Sequence, residues 1–395
     1  MFAMKNNIVI VEGVRTAIGK YNGSLKDYKA AQLGSIVIQE VLNRAKLDPQ
    51  QVDEVVLGCV GQVAEDAFIS RVAAINAGLP VESTAMTVNR LCGSGLQAIV
   101  TGAMEIESGA ANVVVAGGTE SMDNLPFYLR KARFGLGMGH ATMEDGLILA
   151  LSDPFTGSHM GVTAENIAAK FGIGRQEQDE FAMESQKRAG QSVTAGLFKD
   201  EIVPVKIKVG KEEKMFDTDE HIRPDTTIEK LAKLRPAFKE NGTVTAGNAS
   251  GINDAAAAVV LMTAEQAKEQ GLKPWVRIAG AAVAGVSAEI MGTGPIPAVR
   301  KLLKQTGVKL EEIGLIELNE AFAVQALACM RELGLDSAKV NVNGGAIAFG
   351  HPIGATGAIL TVKLMHDMRR KKVRYGLETL CIGGGQGIAV LYELL

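Results

Sequence analysis

The chain has 395 residues, with 41 Lys or Arg against 44 Asp or Glu and a formal net charge of −3. Hydrophobic residues make up 47% and aromatic residues 5%, which fits two or three globular units and excludes a basic nucleic-acid binder or a base-stacking surface. No apolar run reaches the ~18 residues of a membrane span, and Met1–Gly13 lacks the pattern of a cleaved leader, so a soluble cytoplasmic protein is expected.

In chain order, short β-branched runs alternate with longer stretches of helical period. Ile8–Val11 predicts a buried strand, Leu33–Ala45 a helix, Val55–Leu57 a strand, Ala85–Val88 a strand leading to Cys92, a helix from Leu96, and Val113–Ala116 a further strand. This alternation predicts an α/β fold with a mainly parallel sheet covered by helices on both faces. From about Ser121 to Asn248 the composition changes to methionines, histidines (His140, His159, His221) and charged loops, predicting an inserted region of loops and helices without further sheet. Loops held on a rigid scaffold are where substrates are usually recognised. Asn253–Leu261 then reads as a core element returning to the first half.

The chain also repeats itself. Leu47–Gly58 and Val308–Asn319 each run from an acidic turn through an aliphatic anchor into an aliphatic strand, and Ile8–Gly13 resembles Val276–Gly280. Two related halves follow, with chance similarity of common α/β units as the alternative. The domains expected are 1–121 plus 249–274, an inserted loop domain 122–248, and 275–395.

The four cysteines, Cys59, Cys92, Cys329 and Cys381, form no CxxC pair and fit neither a zinc site nor a disulfide framework, so reduced thiols are expected. Cys92, in Asn89-Arg90-Leu91-Cys92-Gly93-Ser94-Gly95, falls on a turn between strand and helix. A helix N-terminus there favours a thiolate, and its small neighbours leave room for substrate and for backbone donors to an oxyanion. The bland alternative is a buried structural cysteine. His351, boxed in Gly350-His351-Pro352-Ile353-Gly354, suits a positioned base, or else a structural loop histidine. Cys381 repeats the pattern of Cys92 at a strand end before Gly383-Gly384-Gly385, and Glu317-Leu318-Asn319-Glu320-Ala321-Phe322 puts polar groups where a strand opens into a helix. The terminal glycine run lacks the βαβ unit and acidic residue of a dinucleotide site, and no spacing supports a metal shared by the two thiols and His351. One thiolate can accept an acyl group from a thioester, while a second thiol, with a free pKa of about 8.5, can move a proton from carbon beside a carbonyl.

In these four blocks, in order and spacing, the sequence resembles the thiolases, over essentially the whole chain. The resemblance implies a five-layer αβαβα fold of two similar halves with an inserted loop domain. It implies acetyl-CoA C-acetyltransferase activity: two acetyl-CoA reversibly giving acetoacetyl-CoA and CoA through an acyl-cysteine, with CoA thioesters as substrates and no separate cofactor. A broader-chain 3-ketoacyl-CoA thiolase is the alternative. By motif, Cys92 would be acylated with His351 as its base, and Cys381 would deprotonate the second acyl-CoA. Asn319 would hold a water in one oxyanion hole, and the amides of Cys92 and Gly383 would form the other. His159, Met160, Ala246, Ser250, Met291 and Phe322 fall in segments resembling the acyl and pantetheine channel, Arg223 would meet the CoA nucleotide, and Phe238 would lie near its adenine. Met160 and Met291 would narrow the acyl pocket toward acetyl and acetoacetyl groups. Arg130–Asp145 resembles the loop through which short-chain thiolases assemble as tetramers, dimers of dimers, and no nucleic-acid or membrane partner is expected. The chain departs from the family at Asp66–Val72, near the dimer interface of its relatives, and at Ala255.

Overall fold

The computed structural model describes residues 7–62 and 67–395; residues 1–6 of the Met1–Gly13 segment and Asp66 of the Asp66–Val72 stretch lie outside it. Nine strands form its backbone: β1 (Ile8–Thr16), β2 (Glu54–Gly58), β3 (Thr84–Val88), β4 (Val114–Ser121), β5 (Asn253–Thr263), β6 (Val276–Gly285), β7 (Ile313–Leu318), β8 (Tyr375–Ile382) and β9 (Gln386–Leu394). They lie in the order β7-β8-β9-β6-β1-β5-β4-β2-β3. β4, β5 and β8 are buried along nearly their whole length, as covering on both faces requires.

Each half repeats one pattern. β2 runs parallel to β4, which pairs antiparallel with β5, which pairs antiparallel with β1. β7, β8, β9 and β6 repeat the same three pairings. The halves meet where β1 pairs antiparallel with β6, Val9 opposite Arg277 and Ile10 opposite Val276. The repeated sequence segments become β2 and β7, and the partner that β2 finds in β3 is reduced beside β7 to a bridge between Ile316 and Val340.

The sheet is thus mixed, and the expectation of a mainly parallel one is overturned. Helical crossovers make parallel neighbours, but β9 folds straight back from β8 over the Gly383–Gly385 turn, and β5 enters from the inserted region; both pair antiparallel. The inserted region also carries strands that its composition did not announce. Val205–Val209 pairs with Glu212–Phe216, Phe127–Leu129 with Met143–Asp145, and Ile202–Val203 joins β1. Only Val205–Val209 alternates apolar with charged residues, and the other strands are two to five residues long.

Seven helices matter to the site: α1 (Ala30–Ala45), α2 (Ser94–Ser108), α3 (Met160–Phe171), α4 (Arg175–Thr194), α5 (Pro295–Thr306), α6 (Ala323–Leu333) and α7 (Thr356–Lys371). On the first half-sheet, Gly34 of α1 rests on Leu57 and Thr119, whereas Gly102 of α2 rests on Val114 and Ala116, so the two helices cover opposite faces. On the second, Gly280 of β6 meets Leu302 of α5, and Gly376 of β8 meets Leu364 and Met368 of α7. α2 and α7 share the middle layer between the half-sheets. They approach so closely there that a Cβ on Gly95 would lie 2.8 Å from the Ala358 nitrogen and one on Gly357 2.4 Å from the Leu96 nitrogen.

The inserted region docks through a buried charge. Arg15, at the end of β1 and fully buried, donates to Glu201 (2.8 Å) and to both carboxylate oxygens of Asp219 (2.8 and 2.9 Å). Farther out, Phe134, Leu136 and Met138 of the Arg130–Asp145 loop are exposed. Among the described residues, no helix is long and apolar enough to cross a membrane.

Candidate active site

The duplication places the chemistry. Cys92 precedes α2 and His351 precedes α7, so the thiol and the imidazole stand at equivalent ends of the two central helices, while Asn319 follows β7 and Cys381 ends β8. The chain turns sharply at Leu91, a non-glycine residue with φ of 43°, and this turn sets Cys92 at the head of the helix rather than within the strand. One cavity is lined by Cys92, His159, Met160, Phe238, Ser250, Met291, Phe322, His351 and Gly383, together with Leu91, Met122, Leu151, Ala249 and Ile353. Cys381 is buried in one apolar cluster with Met160, Met291 and Phe322, three residues that also line this cavity.

His351 is held from three sides. Its backbone N–H donates to Asn253 Oδ1 (3.0 Å), Nδ1 lies 2.7 Å from Thr356 Oγ1, and Nε2 lies 3.4 Å from Asn319 Nδ2. Gly350 before it has φ of 104°, and a Cβ there would stand 2.2 Å from the Asn253 side chain, so only glycine lets the loop reach this anchor. The buried Glu120 carboxylate fastens the far side of the loop by accepting from the amides of Gly354 (2.7 Å), Gly61 (2.8 Å) and Val60 (3.0 Å). Glu120, Asn253 and Thr356 went unassigned in the sequence reading. A carboxylate within a buried strand and a hydroxyl five residues after a glycine-boxed histidine were the available signals.

Burial shifts all three protonation equilibria. It pushes the Cys92 thiol up to about 11, although the amides of Gly383 and of Cys92 itself pull it down. It pushes Cys381 well above the ordinary thiol range and His351 down to about 4. Burial thus opposes the thiolate that the helix end and the backbone donors favour. For both thiols and for the imidazole, burial favours the neutral form. Alkylation of Cys92 by iodoacetamide in the ligand-free protein should accordingly climb about tenfold per pH unit from about pH 7 to 9, as the thiolate fraction does below its pKa. A rate that stays level across that range would instead reveal a preformed thiolate–imidazolium pair.

Phe238 stacks on His159 (centroids 4.7 Å apart, planes at 15°) and meets Phe322 edge-on at 6.1 Å, so it forms a wall of the thiol cavity. His159 turns inward because Nδ1 accepts the Gly161 amide (3.0 Å) at the start of α3. Arg223 and Ala246 lie elsewhere, around a second cavity with His221, Lys230, Gly247 and Gln186. Burial and Arg223 push His221 down to about 4, which leaves Arg223 and Lys230 as the positive charges there. Among the described residues, no cluster of three or more His, Cys, Asp or Glu could hold a metal ion.

A half-buried thiol and an imidazole from the two duplicated halves line one apolar cavity, and a second, buried thiol packs against residues of its wall, an arrangement suited to passing an acyl group through sulfur. The Thiolase, N-terminal domain family matches residues 8–265 and the Thiolase, C-terminal domain family residues 272–394, and the chain belongs to the thiolase family. It is 53% identical over 392 residues to a beta-ketothiolase of Cupriavidus necator, covering 99% of this chain and 100% of that one. It is also 53% identical over 386 residues to an acetyl-CoA acetyltransferase of Pseudomonas aeruginosa, covering 97% and 98%. The crystal structure of the Bacillus anthracis acetyl-CoA acetyltransferase superimposes with a TM-score of 0.97 at 47% identity, over 100% of both chains.

Proposed function

We propose that the protein is an acetyl-CoA C-acetyltransferase, joining two acetyl-CoA into acetoacetyl-CoA and CoA, and running in reverse. The observation that carries this reading is the convergence of Cys92, His351 and Gly383 on one cavity, with Cys381 packed against residues of its wall. The names of the Pseudomonas and Bacillus relatives support it.

Burial of the two thiols and of the imidazole supports the following order of events. His351 Nε2 takes the Cys92 proton as the sulfur attacks the acetyl carbon, and the amides of Cys92 and Gly383 face the oxyanion. A neutral Cys381 cannot begin as a base. It first gives its proton to the departing CoA thiolate, then, as a thiolate, takes a proton from the methyl carbon of the second acetyl-CoA. Protonated His351, with a water held by Asn319, stabilises the enolate. The new carbon–carbon bond expels Cys92 as a thiolate, which recovers its proton from His351, and all three groups are reset.

Ser250, His159, Phe238 and Phe322 line the pantetheine arm, and Arg223 with Ala246 takes the nucleotide end in the second cavity. The activity runs in a cytoplasmic homotetramer that uses CoA thioesters without another cofactor, its exposed 130–145 loops joining dimers. CoA-dependent loss of acetoacetyl-CoA enolate absorbance, abolished by a thiol-blocking reagent, tests the reading; no loss at saturating CoA would refute it.

Met160 and Met291 line the cavity, and in this reading they narrow its acyl end. The name of the Cupriavidus relative, beta-ketothiolase, does not restrict the acyl group to acetyl, and a broader chain range is the second reading. Thiolysis rates from acetoacetyl-CoA to 3-ketohexanoyl-CoA separate the two. Met291→Ala is expected to raise the 3-ketohexanoyl to acetoacetyl rate ratio about tenfold, the effect of a methylene or two of pocket space. An unchanged ratio would take Met291 out of chain selection.

A further inference from the structure

We propose that Thr356 is a positioning residue that sets the tautomer of His351, keeping Nδ1 protonated and Nε2 bare toward Cys92. This rests on the acyl-transfer reading of the site. Thr356 is the first residue of α7 and is buried. Its Oγ1 donates to the carbonyl of Pro352 (2.9 Å) and lies 2.7 Å from His351 Nδ1. The Pro352 carbonyl also accepts the amides of Ala355 and Thr356 (both 2.9 Å). We assign the hydroxyl's single proton to that carbonyl, which leaves a lone pair for the ring and makes Nδ1 the donor. On the other side, the Asn319 amide nitrogen faces Nε2 at 3.4 Å, and an N–H there needs a bare ring nitrogen.

The duplicated half contains an independent version of the device. Ser94, the first residue of α2, donates Oγ to the Leu91 carbonyl (2.6 Å) and accepts from the Arg90 backbone N–H (2.9 Å). There the incoming nitrogen can only donate, so the hydroxyl's proton goes to the carbonyl, the assignment made for Thr356. A neutral hydroxyl does for His351 what a carboxylate does for many catalytic histidines, without placing a charge beside an imidazole that must be neutral at rest.

The test compares the wild type with Thr356→Val, which removes the hydroxyl at constant shape, and Thr356→Ser, which keeps it. For thiolysis of acetoacetyl-CoA, the valine variant is expected to lose roughly 10²-fold in kcat, the scale of a misdirected general base, with KM unchanged within about threefold. The serine variant should stay within about threefold of wild type in both. In ¹⁵N-histidine NMR of the wild type near pH 7, with His351→Asn to assign the signals, the proton should reside on Nδ1. Full kcat in the valine variant, equal losses in both variants, or a proton on Nε2 would overturn the proposal. Should the valine variant fail to fold, the serine variant and the wild-type spectrum still decide it. A wild type inert toward acetoacetyl-CoA would refute the acyl-transfer reading instead, while the spectrum judges the tautomer on its own.

Discussion

Cys92→Ala is expected to abolish acyl-enzyme formation and to lower turnover by at least about 10³-fold, whereas Cys381→Ala should still acquire an acetyl group from acetyl-CoA yet fail to make or cleave the carbon–carbon bond. The split follows from position. Cys92 lines the open cavity with Gly383 and His351, while Cys381 is buried among Met160, Met291 and Phe322 of its wall. An attacking sulfur must reach the acyl carbon; a proton shuttle needs only to touch the carbon acid. Removing Cys381 also leaves the departing CoA thiolate without its nearest acid, so acylation should slow without vanishing. Rapid-quench measurement of bound acetyl alongside steady-state condensation reads both halves. Full turnover in Cys381→Ala would end the division of roles.

The second large effect concerns stability. Arg15→Ala strips two buried carboxylates, Glu201 and Asp219, of their shared cation. Breaking a buried pair by deleting one partner costs about 3–5 kcal/mol, because the remaining charges lack both water and partner. At about 2.1 cal/mol/K of unfolding entropy per residue, a chain of 395 residues shifts by about 1.2 °C per kcal/mol, so the melting midpoint should fall by roughly 4–6 °C. Arg15→Met, which refills the volume, should not restore it, since the two acids stay unpaired, whereas the triple change to Met, Gln and Asn at 15, 201 and 219 should recover part of the loss. Calorimetry of the four proteins checks this. A shift of under about 2 °C in Arg15→Ala would mean the acids are neutralised by protonation and the pair carries little.

Much of this was legible in the sequence, and for physical reasons. The aliphatic runs at 8–11, 55–57 and 113–116 could only be buried strands, and the repeat at 47–58 and 308–319 became β2 and β7, the strands that open the two crossovers. The glycine-flanked Cys92, His351 and Cys381 were visible because close backbone approach leaves its mark in small residues. Strand direction was not visible, since burial patterns do not distinguish parallel from antiparallel neighbours. Neither was the effect of burial on the thiols, which depends on how much protein surrounds Cys92 as well as on the helix it precedes. Arg15 looked like the polar end of a strand, and its partners lie about 200 residues away in the inserted region. Thr356 stood in plain sight in the histidine block, but its contacts with His351 and Pro352, on which the proposed role rests, appear only in the fold.

The most direct test of the account is to mix the protein with acetyl-CoA, quench in acid, digest, and locate the added acetyl group by mass spectrometry. A thioester on the peptide bearing Cys92, discharged by free CoA, is the predicted result. An acetyl group on Cys381, on another residue, or nowhere would contradict it.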